Sequence, residues 1–173
     1  VLTSAGAGAI PTFETLPVSG ITMAQQWRMT AGKSGNSVIS ANLEIVDTNG
    51  YGTIGSNMTQ SSGIFTFPST GYYLILAYGQ IGFATASDAQ ASLVTSVTTN
   101  NSTFGSDAYA VAGSNSGSGN SNFTVSSQFL FDVTNTTNCK VKFFTESFSS
   151  GTSLAGNSDT NMTTFGFYRL GDT

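Results

Sequence analysis

The chain has 173 residues, a net charge of −4, and only 8% charged residues against 39% hydrophobic ones. A typical soluble domain is about 25% charged, so Ser, Thr, Asn and Gly must supply most of the polar surface. The five cationic residues form no cluster, which argues against nucleic-acid binding and against docking on anionic lipid. The 12% aromatic content argues against a disordered chain, and the length suits one domain with a core.

Residues 1–20 are mostly small and uncharged and contain Pro11 and Pro17. This composition predicts an extended connector over 1–20, followed by one folded domain over 21–173. Because the chain begins with Val1, we expect it to be a processed or excised part of a longer polypeptide. No run of about 18 apolar residues occurs, so we expect no membrane insertion.

The strongest structural signal lies in residues 63–81, where two alternating apolar runs (64–67 and 72–81) flank the turn Pro68-Ser69-Thr70-Gly71. Alternation is also clear in 123–133, whereas 31–36 and 113–120 are predicted loops. Without helical periodicity, the pattern predicts an all-β sandwich or jelly roll of about eight to ten antiparallel strands. The other predicted strands are 21–29, 38–46, 91–98, 107–112, 139–148 and 163–170.

Aromatic residues on these strands have two interpretations. Most suit a sandwich core or the axis of a trimer: Phe65, Phe67, Tyr73, Phe129, Phe131, Phe165 and Phe167. We expect a homotrimer, because uncharged strands such as 72–81 exceed what one sandwich can bury. The candidate surface residues for binding a receptor are Trp27, Tyr51, Tyr109, Asn115 and Asn157, with Tyr168 as a further aromatic that could stack on a sugar.

The residue content offers little for catalysis. There is no His, and the nine carboxylates show no paired spacing, so we expect no enzyme activity. The lone Cys139 is expected to be a buried apolar filler. We expect no cofactor, although Asp47-Thr48-Asn49 and Asp159-Thr160-Asn161 offer oxygens that leave a structural calcium ion open.

The run GIFTFPSTGYYLI (63–75) resembles the G-x-[FY]-x-x-P-x-x-G-x-Y core of C1q/TNF-like domains. The final TFGFYRL (164–170) resembles the closing strand of the same family. The likeness spans about 21–171, but a collagen-like stem is missing. This resemblance implies a trimeric jelly-roll head that binds a partner and does not catalyse a reaction.

Two segments, VLTSAGAGAIPTFETLP (1–17) and GYGTIGSNMTQSSGIFTFPSTGYYLI (50–75), resemble structural proteins of tailed phages. This second resemblance implies a tail-fibre or appendage head on the virion, attached to other fibre or capsid proteins. Such a head would bind a host surface glycan or protein through its distal loops. The candidate loops are 31–37, 47–57, 100–107, 113–122 and 150–160.

Two other functions stay open at this point. The first is a capsid decoration or assembly protein that binds no receptor. The second is a secreted C1q-like recognition module.

Overall fold

The computed structural model describes residues 20–84, 88–115 and 120–173, together with the backbone of two short strands near the N-terminus. The described residues form strands and no helix, and so include no helix able to cross a membrane. The strands are β1 (Leu2–Thr3), β2 (Thr12–Phe13), β3 (Met23–Met29), β4 (Ala31–Ser34), β5 (Leu43–Ile45), β6 (Thr59–Ser61), β7 (Ile64–Thr66), β8 (Gly71–Ala84), β9 (Asp88–Thr98), β10 (Ala108–Ser114), β11 (Asn120–Val133), β12 (Lys140–Glu146), β13 (Thr152–Asn157) and β14 (Thr164–Gly171).

Two antiparallel sheets pack face to face. The smaller sheet has the strand order β10-β9-β12-β7-β6. The larger sheet is built on β8, whose one edge pairs with β11 from Gly71↔Val133 to Ala84↔Asn120. The other edge of β8 pairs with β14 over 72–78 and with β13 over 81–83. Strands β3 and β5 extend the sheet beyond β14, and β4 extends it beyond β13, which completes a jelly roll.

The core between the sheets is aromatic. Phe65 lies at its centre, edge-on to Trp27 with ring centroids 5.3 Å apart, and close to Phe167 at 5.2 Å. Phe143 stacks on Phe165 at 4.0 Å. The predicted core positions are confirmed as buried for Phe65, Phe67, Tyr73, Phe131, Phe165 and Phe167, and Phe129 is half-buried. Cys139 is buried, as predicted.

The turn that leads into β7 requires glycine. Gly63 has a φ of 78°, and a Cβ atom there would lie 2.1 Å from the carbonyl oxygen of Ile39. An L-residue would therefore be strained by its backbone angle and would also collide with the facing chain. This requirement fixes the entry of Phe65 into the core.

Several sequence predictions change. Residues 31–36 and 150–160 were expected to be loops, but they contain the strands β4 and β13, which pair with each other. Both strands are rich in small residues. Strand β13 forms because residues 81–83 of β8 lie beyond its pairing with β14 and are free to pair with β13, and β4 then pairs with β13. Apart from residue 20 and the backbone pairing of β1 with β2, the connector predicted for 1–20 lies outside the described residues. The loop predicted at 113–120 lies partly outside them, at 116–119, while β10 continues to Ser114.

Asp88 joins the two sheets. It begins β9 in the smaller sheet and accepts hydrogen bonds from the hydroxyl of Thr152, at the start of β13, and from the backbone N–H of Ser149 at 3.0 Å. Burial alone would raise the pKa of Asp88. The hydrogen bonds from Ser149 and Thr152 outweigh burial and hold the pKa below the ordinary value of 3.8.

The variant Asp88→Asn tests this link. A folded-state pKa below 3.8 means that the carboxylate stabilises the fold above that pH and loses this effect as the pH falls through the folded-state value. We expect D88N to lower the free energy of unfolding by about 1.5–3 kcal/mol at pH 7 and by less at pH 2.5. Urea unfolding at both pH values measures this, and a deficit independent of pH would contradict it.

The variant Tyr73→Asp tests the core assignment. Tyr73 is fully buried, so the change places a carboxylate among aromatic rings and removes a large side chain. We expect the free energy of unfolding to fall by at least about 4 kcal/mol, or the chain not to fold. The matched control is Asn115→Asp, which introduces the same charge at an exposed position and should change stability by less than about 0.5 kcal/mol. Circular dichroism with denaturant measures both.

Candidate functional site

The outward-facing side of the larger sheet carries an apolar region around the first half of β8. Along β8, Tyr73, Ile75 and Ala77 point into the core, whereas Tyr72 and Tyr78 are each 40% exposed on the opposite side. Leu74 lies between Leu130 of β11 and Tyr168 of β14, which also face outward. We call this surface the outer face; its residues are Tyr72, Leu74, Leu76, Tyr78, Leu130 and Tyr168.

A second apolar surface lies at the side of the sandwich, where β10 and β11 end their respective sheets. Tyr109 is 44% exposed, Val111 is 48% exposed, and Phe123 is 41% exposed with its ring edge-on to Phe83. We call Tyr109, Val111 and Phe123 the edge patch. The predicted surface position of Tyr109 is confirmed, and its part in binding stays a prediction.

A buried arginine lies on the outward side of β3. Arg28 is only 1% exposed, and its Nε donates to the Glu44 carboxylate at 2.6 Å. Its two terminal nitrogens donate to Thr48 Oγ1 and to Asp47 Oδ1, both at 2.9 Å. Because three donors of one planar group bind three side chains, Arg28 holds the loop after β5 against the sheet.

The loop held by Arg28 forms one wall of a cavity of about 480 Å³. The other wall is the loop between β13 and β14, and the pairing of β3 with β14 brings the two loops together. Candidate loops 47–57 and 150–160 thus meet at one site, which we call the loop pocket. Its lining residues are Val46, Thr48, Asn49, Gly50, Tyr51, Asp159, Thr160 and Asn161.

The second wall is also held by hydrogen bonds. Asn157 Oδ1 accepts from the backbone N–H groups of Asp159 at 2.7 Å and Thr160 at 2.8 Å. The Asn161 amide donates to Gln26 Oε1 at 3.3 Å, which ties the loop to β3. The predicted binding residue Asn157 therefore shapes the wall of the loop pocket through its side chain.

Tyr51 is the aromatic residue of the loop pocket and is half-buried. Burial raises its pKa, because the phenolate would lose hydration, and the nearby Tyr168 raises it further by charge repulsion. Tyr51 therefore keeps its hydroxyl proton near neutral pH and can donate a hydrogen bond. Its proximity to Tyr168 places the loop pocket next to the outer face.

The described residues contain no group of three or more His, Cys, Asp and Glu side chains able to hold a metal ion. The two segments considered for calcium do converge, at the loop pocket. However, the Asp47 carboxylate binds Arg28, so Asp159 supplies the carboxylate among the lining residues. The calcium expectation gains no support from this arrangement.

The other predicted surface residues fall in different places. Trp27 was expected on the surface, but it is 8% exposed and packs in the core, so that prediction is wrong. The inward face of β3 consists of alternate residues: Met23, Gln25, Trp27 and Met29. This alternation could have placed Trp27 in the core. Asn115 is exposed and is not among the residues that line the loop pocket. The role of Arg28 was not predicted from the sequence.

Two conservative variants test the Arg28 clamp. We expect Glu44→Gln to lower the free energy of unfolding by about 2–3 kcal/mol, because it weakens the compensation of a buried charge. The matched change Asp47→Asn should cost less than about 1 kcal/mol, because the Asp47 side chain is 72% exposed and Glu44 only 34%. Urea unfolding measures both, and equal effects would contradict this ranking.

Comparison with known proteins bears on the fold. No family model matches the chain, and no curated protein sequence matches it. A crystal structure of murine APRIL at pH 5.0 is similar to this chain, with a TM-score of 0.59 and 15% sequence identity. The structures of murine APRIL at pH 8.0 and pH 8.5 have TM-scores of 0.54 and 0.53, and each is 14% identical in sequence. Each similarity covers 86% of this chain and 98% of the other. The chain therefore has a TNF-like jelly-roll fold.

Proposed function

We propose that the chain is a homotrimeric, non-enzymatic recognition head of a virion appendage, in which three copies bind a receptor on the host-cell surface. The trimer is proposed from the exposure of the outer face. Leu130 is 58% exposed there, among Tyr72, Tyr78 and other apolar side chains. A large exposed apolar surface of this kind marks an interaction site.

A closed ring of three requires two different contact surfaces on each subunit, because its interface is heterologous. The chain has two such surfaces, the outer face and the edge patch, and they consist of different residues. In the proposed trimer, the edge patch of one subunit packs on the outer face of the next. The aromatic and aliphatic content of both surfaces suits a permanent interface.

The virion role rests on the likeness of segments 1–17 and 50–75 to structural proteins of tailed phages, and the TNF-like jelly roll is compatible with it. The same head would contact other fibre or capsid proteins at its base. Three receptor sites on one rigid trimer give avidity without a high affinity at each site. The recognition surface is assigned to loops at the end of the sandwich, because loops accept sequence change without loss of the core.

Light scattering on a sizing column tests the trimer. We expect a mass of about three times 17.9 kDa for the natural chain. Leu130→Glu should give a folded monomer, because it places a charge in the proposed interface. The matched control is Ile64→Glu, which changes a 36% exposed residue on the smaller sheet and should remain trimeric. A monomeric natural chain, or a trimeric L130E, would contradict the proposal.

Recognition is tested with the same proteins on an array of bacterial surface polysaccharides and on whole bacterial cells. The trimer should be retained on a subset of them, and monomeric L130E should be lost during washing because its avidity is gone. A trimer that binds none of these surfaces would favour a capsid decoration protein over a recognition head.

A further inference from the structure

We infer that the loop pocket is a saccharide-binding site that takes a neutral, hydroxyl-rich sugar through hydrogen bonds and contact with the Tyr51 ring. This inference rests on the proposed recognition function and names the ligand class and the site. It starts from the convergence of the two Asp-Thr-Asn segments, 47–49 and 159–161, which lie more than 100 residues apart in the chain.

The lining of the loop pocket matches the surface of a sugar. Thr48, Asn49, Thr160 and Asn161 provide hydroxyl and amide groups, which both donate and accept hydrogen bonds as sugar hydroxyls do. The Tyr51 ring adds an apolar surface for the C–H side of a sugar ring. A volume of about 480 Å³ lies in the range of small-molecule sites.

The charges near the loop pocket exclude an anionic ligand. None of the five cationic residues lines it, and each of them is engaged with other groups of the chain. Arg28 is buried against Glu44 and Asp47, Lys33 donates to Thr145, and Arg169 pairs with Asp172. Lys140 and Lys142 contact the Thr136 carbonyl and the Phe104 ring. Asp159 would repel a phosphate, sulfate or carboxylate, but it can accept two hydrogen bonds from neighbouring hydroxyls of a neutral sugar.

Both walls of the loop pocket are in place before a ligand arrives. Arg28 fixes Thr48 and the loop that holds it, while Asn157 fixes the backbone of Asp159 and Thr160. Because these groups are already ordered, binding loses little conformational freedom of the protein. A rigid polar cavity can therefore select a sugar by the positions of its hydroxyls.

The test uses saturation-transfer difference NMR on the full chain with methyl glycosides of glucose, galactose and mannose, and with N-acetylneuraminic acid as the anionic counterpart. We expect signals from at least one neutral glycoside, unchanged by EDTA, and none from N-acetylneuraminic acid. Tyr51→Ala and Asp159→Ala should each weaken binding at least tenfold, and Tyr51→Phe should weaken it less than threefold. The control Asn138→Ala, at an exposed turn residue that does not line the loop pocket, should leave binding unchanged. Light scattering and circular dichroism on every variant exclude a loss of folding or assembly.

Two results would overturn the inference: the absence of a signal from every neutral glycoside, or signals that persist in Y51A. The polysaccharide array separates these results from failure of the proposed function. If the natural trimer binds the array and Y51A binds it equally well, the recognition head stands and the loop pocket is not its sugar site. If the natural trimer binds neither the array nor cells, the recognition function itself fails.

Discussion

Strand β8 is the constraint on which the rest of the structure depends. It pairs along its whole length with β11 on one edge and with β14 and then β13 on the other. Its alternation sends Tyr73 and Ile75 into the core while Tyr72 and Tyr78 face outward. One strand therefore supplies residues to both the buried core and the apolar outer face, so both surfaces are set by the same register.

Arg28 plays a comparable part for the loops. A buried guanidinium is costly unless its donors are satisfied. Glu44 of β5 and Asp47 and Thr48 of the following loop accept hydrogen bonds from Arg28. Arg28 is one of five cationic residues in the chain, and it shapes a wall of the loop pocket. The polar cavity therefore owes its shape to an ion-pair cluster behind it, outside the surface that a ligand would touch.

Local periodicity predicted the parts of the fold that depend on local sequence. The inward residues Val125, Phe131 and Val133 follow from the alternation of β11 alone. Strand β13 could not be predicted in this way, because its Thr-Ser-Leu-Ala-Gly-Asn sequence has little β propensity and forms only by pairing with β8 and β4. The loop pocket was also beyond reach, since its two walls meet through the register of β3 with β14. The repeated Asp-Thr-Asn segment is its single sequence signal, and in the sequence alone its oxygens suggest calcium ligands.

Charged and uncharged groups have different roles in this molecule. The cationic side chains bind carboxylates, carbonyl and hydroxyl oxygens and one aromatic ring within the same chain. The outer face carries apolar side chains, whereas the loop pocket is lined mainly by hydroxyl and amide groups with the Asp159 carboxylate among them. The Debye length shrinks to roughly 3 Å at 1 M salt, so exposed charge pairs weaken there while burial of apolar surface does not. An interface formed on the apolar outer face would therefore keep its strength over a wide range of ionic strength.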